Sequence, residues 1–188
     1  MRISPLVACM FVSLVAAAQE PKPAPGGSVA ASVGAPWAFL AADFISLADA
    51  MPAEKYGFAP TQGEFTGVRT FGEQVKHVAC ANYGFFNEIE GTTPPGHCDD
   101  GGPSPAATKA ELMAYLRESF AHGSRVLAGI DQRNMLEVVD GPYGGPRTRL
   151  GIAMLAIWHA SDHYGQLVEY LRMNGLVPPA SRPAPAAK

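Results

Sequence analysis

His159 and His163 stand four residues apart in the stretch Trp158-His159-Ala160-Ser161-Asp162-His163-Tyr164-Gly165-Gln166-Leu167. A four-residue step on a helix stacks two side chains on one face. Two imidazoles placed that way can hold one metal ion, and a third histidine from another helix completes a facial tripod. His77 is the candidate for the third. It sits inside a second helical stretch, and Ala81 and Gly84 further along are small enough to leave room for an ion, a water or a substrate. Three neutral imidazoles with open positions suit zinc, nickel, cobalt or iron(II), and the ligand set alone does not choose among these divalent ions. An open position lowers the pKa of a water or takes a substrate oxygen or thiolate. The plainer reading of the same residues is three hydrogen-bonded, partly buried histidines, with the small residues serving close helix packing.

The residues argue against two metal chemistries. The spacing matches His-Glu-x-x-His only in its histidines: position 160 is alanine, so the general base of that metalloprotease motif is missing. There is no Cys-x-x-Cys-His, and two histidines on one helix face cannot supply both axial ligands of a haem.

These residues need rigid rods to position them, and the sequence supplies four helical patterns with no convincing alternating strand. The first is expected over 35–51, where Trp37, Leu40, Phe44, Leu47 and Met51 form one apolar stripe. The second, over 67–90, carries Val68, Phe71, Val75, Val78, Phe85 and Ile89 with Asn82 as its polar member. The third, over 109–131, opens on a capping box of Thr108 and Glu111 and carries Leu112, Leu116, Phe120, Leu127 and Ile130. The fourth, over 148–174, ends at Gly175 with Pro178-Pro179 beyond. Four one-striped helices predict an all-α four-helix bundle. The segment from Gly91 to Ala107 is long enough to cross the bundle between helices two and three. Asp140 to Pro146 reads as a turn-rich connection.

The chain has 188 residues, 47% hydrophobic and 16% charged, with a net charge of −3. That is one domain with a substantial core. It has no Lys/Arg run and no basic balance of the kind that binds nucleic acid. Residues 1–18 read as a secretory signal peptide: Arg2, an apolar stretch from Leu6 to Val15, then Ala16-Ala17-Ala18 as the cleavage site. The apolar run is too short to span a bilayer, so a periplasmic or secreted protein without integral membrane contact is expected. Leu6-Val7-Ala8-Cys9 offers the alternative of a lipoprotein cleavage box. Residues 19–34 and 180–188 read as a flexible leader and a disordered tail. Cys80 and Cys98 remain after cleavage and suit a disulfide in an oxidising compartment, with two free thiols or Cys80 thiolate ligation as the alternatives.

Together these segments resemble a known family. Gly72-Glu73-Gln74-Val75-Lys76-His77-Val78-Ala79, followed by Trp158-His159-x3-His163-Tyr164-Gly165-Gln166-Leu167-x2-Tyr170-Leu171-Arg172-x2-Gly175-x2-Pro178-Pro179, is similar to the DinB-like (YfiT-type) metalloproteins over residues 36–179. The resemblance implies an up-down-down-up bundle with a long crossover between helices two and three. It implies a divalent metal held by His77, His159 and His163 with water completing the shell, and homodimers in many members. Characterised relatives include thiol-dependent S-transferases and a maleylpyruvate isomerase. The export signal and the cysteine pair depart from that pattern.

Further residues carry secondary expectations. Glu73, one turn before His77, either orients that ring or is a solvated carboxylate. Gln166 and Tyr170 continue the histidine face. Asp162 and His122 read as surface groups, and His97 with Asp99 and Asp100 as a loop cluster. The function expected is metal-assisted transfer or hydrolysis on a small-molecule substrate. The alternative is a non-catalytic metal- or ligand-binding bundle of the cell envelope, and no general acid or base beside the tripod decides between them.

Overall fold

The computed structural model describes residues 27–93, 108–141 and 146–183. Four helices dominate: α1 (Val29–Ala50), α2 (Phe71–Glu90), α3 (Lys109–Ala128) and α4 (Arg149–Met173). The expected signal peptide, the lipoprotein box and the His97-Cys98-Asp99-Asp100 cluster lie outside the described residues.

Helix directions follow from which residues meet. Lys109 Nζ donates to the backbone oxygens of Asp49 and Met51 at the end of α1, while Trp37 near its start donates to Phe120 O late in α3. Thus α1 and α3 are antiparallel. Tyr83 stacks on Tyr115, Asn82 bonds Ser119 and Asn87 bonds His122, so α2 and α3 run parallel. Arg149 donates to Ile89 O at one end of α4 and His163 reaches Gln74 further along it, so α2 and α4 are antiparallel. The order is up-down-down-up. Parallel α2 and α3 require the chain to return the full length of the bundle. A 20-residue helix is about 30 Å long, and the extended reach from Gly91 to Thr108 is roughly 60 Å.

The apolar stripes build the core as the periodicity predicts. Trp37, Phe44, Leu47, Phe71, Phe85, Leu116, Phe120 and Leu127 are essentially inaccessible. Each such side chain contributes about 1.5–3 kcal/mol through removal from water. Val68 is the exception, 39% exposed, because α2 starts three residues after it. Helix α1 is apolar and long enough by composition to cross a membrane, yet its aromatic stripe is spent on the bundle.

Local chemistry sets the helix ends. Thr70 and Glu73 form a reciprocal capping box that starts α2. Gly175, at φ +73°, closes α4 in a left-handed turn, with Leu176 N bonded to Leu171 O and Gly175 N to Arg172 O. Three expectations need correction. The leader expected through residue 34 is helical from Val29, because the Ser28 side chain accepts a hydrogen bond from Ala31 N and caps α1 earlier. The α3–α4 connection holds a short antiparallel hairpin, β1 (Val138–Asp140) with β2 (Pro146–Thr148), each strand only three residues long. Regular structure also continues into the expected tail, as a 3-10 turn over Pro179–Ser181.

Candidate metal centre

The antiparallel packing of α2 against α4 brings His77, His159 and His163 together. His77 Nε2 lies 3.1 Å from His159 Nε2. The ring centroids of His77 and His163 are 4.8 Å apart, and those of His159 and His163 4.6 Å apart. One nitrogen from each ring falls within 4.8 Å of the others, so a single point lies within about 2.8 Å of all three. Metal–imidazole bonds are about 2.0–2.1 Å, a gap that small side-chain rotations close.

The protonation pattern suits ligation. Burial first, then the Arg69 and His163 charges, push His77 down to about 4. Burial and the neighbouring imidazoles push His159 to about 3. Burial also lowers His163, with Asp162 opposing it. Near neutral pH all three are uncharged, with a lone pair to offer. His163 donates Nδ1–H to Gln74 Oε1 at 2.8 Å, which fixes the tautomer and leaves Nε2 bare. His159 Nδ1 is buried with no hydrogen-bond partner among the described residues, its ring edge-on to Phe85 at 5.3 Å. An unsatisfied buried nitrogen costs about 1–3 kcal/mol. Three neutral imidazoles with a nitrogen each in one small cluster are nonetheless a donor set that fits a divalent metal.

The other expected residues sort themselves around this centre. Gln166 and Tyr170 line a groove of about 490 Å³ beside His163, together with Arg69 and Gln74. Tyr170 donates its hydroxyl to Arg69 O at 3.1 Å, tying α4 to the segment before α2. Asp162 is exposed, as expected, and accepts from Gln166 at 2.8 Å. Glu73 does not orient His77: its carboxylate is occupied by the backbone and hydroxyl of Thr70. His122 is not a free surface group, because its Nε2 lies 2.6 Å from Asn87 Oδ1 and its ring stacks on Tyr83. Cys80 is disulfide-bonded, with its partner outside the described residues, so it has no thiolate to offer a metal. Gln74 is the residue that sequence reasoning missed. Its position three residues before His77, on the same helix face, was the available signal.

Comparison with known proteins points one way. A family model described as the DinB superfamily matches residues 37–167. A DinB-like protein of Bacillus cereus superposes with a TM-score of 0.65 at 18% identity, covering 81% of this chain and 96% of that one. A conserved protein of Enterococcus faecalis gives 0.63 at 19% identity, covering 79% and 98%. YfiT of Bacillus subtilis gives 0.60 at 16% identity, covering 84% and 95%; it is described as a probable metal-dependent hydrolase with an unusual four-helix bundle topology. At these identities the likeness speaks for a shared fold. No curated protein matches the chain.

Proposed function

The chain belongs to the DinB superfamily, and we propose that it is an exported divalent-metal protein that transforms a small molecule at the α2–α4 centre. The observation that carries the proposal is the meeting of three uncharged imidazoles from two helices around one point. His77, His159 and His163 are the ligands. When bound, such an ion supplies Lewis acidity toward a substrate oxygen and acidifies a coordinated water. The likeness in fold to YfiT, described as a probable metal-dependent hydrolase, supports hydrolysis or group transfer as the reaction class.

The chain's own residues supply the rest. Gln74 holds the His163 proton on Nδ1, so the other nitrogen faces the centre. Phe85 closes the buried side against His159. The groove lined by Gln166 and Tyr170 leaves the His163 side open to a substrate. Export is supported by the disulfide at Cys80, a bond that persists in oxidising compartments.

Elemental analysis of untagged protein tests the centre. About one ion per chain is expected, lost in His77→Ala and in His159→Ala while helicity is retained. Wild-type protein without bound metal after loading and desalting would overturn the proposal. Turnover is then read on a panel of small esters, amides and electrophiles, with and without chelator. A non-catalytic, ligand-binding reading has one observation in its favour: among the described residues no carboxylate joins the three imidazoles as a general base. Metal binding with no metal-dependent turnover across the panel selects that reading.

A further inference from the structure

The groove beside His163 has an uneven chemistry. Its walls are largely apolar, with Phe65, Val68, Tyr170 and Met173 among the lining residues, and its volume of about 490 Å³ is that of a small-molecule site. Its charged lining groups are Arg69 and Glu169. Glu169 is engaged by Arg172 at 3.3 Å. The carboxylate of Glu73, which follows on the same stretch, is held by Thr70 in the capping box. Among the described residues no carboxylate forms an ion pair with Arg69. The start of α2 is not a rival anion site, since that capping box already occupies its end.

The backbone at Arg69 is held in place. Its carbonyl accepts the Tyr170 hydroxyl, which fastens the segment carrying it to α4. Arg69 and His163 line the same groove. The backbone that carries the cation is therefore fixed on the side of one of the three imidazoles, and its exposed side chain borders a largely apolar wall.

We propose that this groove binds a small carboxylic acid, its carboxylate paired with Arg69, its apolar body against Tyr170 and Met173, and its reactive end presented at His163. A guanidinium matches a carboxylate with two parallel hydrogen bonds, a geometry that a neutral amide does not reproduce. The inference rests on His163 being a ligand of the proposed centre, and it names the substrate class for that centre: carboxylate-bearing esters, amides or thiol adducts.

The test uses calorimetric titration of the full chain with matched probes: phenyl-substituted carboxylates from phenylacetate to 6-phenylhexanoate, and the primary amide of each. Zinc-loaded wild-type protein is compared with Arg69→Gln, Arg69→Lys and His77→Ala, and metal content is recorded for each. Wild-type protein is expected to prefer the best carboxylate over its amide by about tenfold or more, the scale of a charge-assisted contact. The preference is lost in Arg69→Gln at unchanged metal content, partly kept in Arg69→Lys, and kept in His77→Ala. Equal affinity for acid and amide, no measurable binding of any probe, or a preference that survives Arg69→Gln each overturns the inference. A preference that vanishes in His77→Ala but not in Arg69→Gln assigns the carboxylate to the metal and likewise overturns it. Failure of the metal reading shows separately, as zinc content near zero with the Arg69-dependent preference intact.

Discussion

Gln74 and His163 lie 89 positions apart in the chain, yet the Gln74 amide oxygen sits 2.8 Å from His163 Nδ1 in a buried setting. This contact decides which nitrogen of His163 can bind an ion. Outer partners of ligating histidines typically contribute 10- to 100-fold in metal affinity. Gln74→Leu is therefore expected to weaken zinc binding by about that factor, measured by competition with a chromophoric chelator. Gln74→Glu, which keeps an acceptor, is expected to lose less. Equal affinity in Gln74→Leu and wild type would remove the role assigned to this amide.

Acid should destabilise the metal-free protein through the same rings. Burial lowers His77 from the ordinary histidine value of 6.5 to about 4, and His159 from 6.5 to about 3. Between those values the unfolded chain binds more protons than the folded one. Stability is thus fully present above about pH 6.5 and is lost as pH falls through the window toward about 3. Urea midpoints of chelated protein should be lower at pH 5 than at pH 7, and His159→Gln should flatten that slope. A midpoint that does not move contradicts the burial of these rings.

Gly123 stands where α3 packs closely against Trp37 of α1 and Phe86 of α2. A methyl group built there meets Trp37 Cζ2 at 2.7 Å and also strikes the Phe86 ring. Both rings are inaccessible to solvent and stand edge-on to each other at 4.9 Å, so neither can retreat into space. Gly123→Ala is expected to destabilise the fold by about 1–3 kcal/mol through overpacking, despite the gain in helix propensity. Chemical denaturation measures this, and a stabilised Gly123→Ala variant would show that α3 can shift away from α1.

The capping box at Thr70 is a smaller and separate contribution. Thr70→Ala removes the acceptor for Glu73 N and the hydroxyl bonded to the Glu73 carboxylate. A loss of about 0.5–2 kcal/mol is expected, read as a shift of the melting temperature. Metal content should not change, since neither residue touches the three imidazoles.

How much of this was legible in the sequence depended on whether partners were local. The apolar stripes, the Thr108–Glu111 box and the Gly175 stop depend on spacings of three or four residues, and apart from Val68 the structure has them where spacing puts them. The pair His159 and His163 was visible for the same reason. Their meeting with His77 could only be inferred from helix count and the family resemblance. Gln74 was hidden because an amide three residues before a histidine looks like any polar helix position until α4 is laid against it. Glu73 drew attention instead, although a local competitor, the Thr70 cap, already held its carboxylate. The start of α1 was obscured by composition: Ser28 caps the helix from within a stretch rich in proline, glycine and alanine. The hairpin strands are too short for alternation to register.

The two facing nitrogens of His77 and His159 belong to residues 82 positions apart. Whatever bridges them ties the second rod to the fourth and closes a loop that takes in the whole of the third. Such a bridge withdraws freedom from the denatured chain much as a covalent tie does. Unlike one, it could be removed by a chelator and restored by adding metal, so an ion held there would act as a reversible clasp on the second, third and fourth helices.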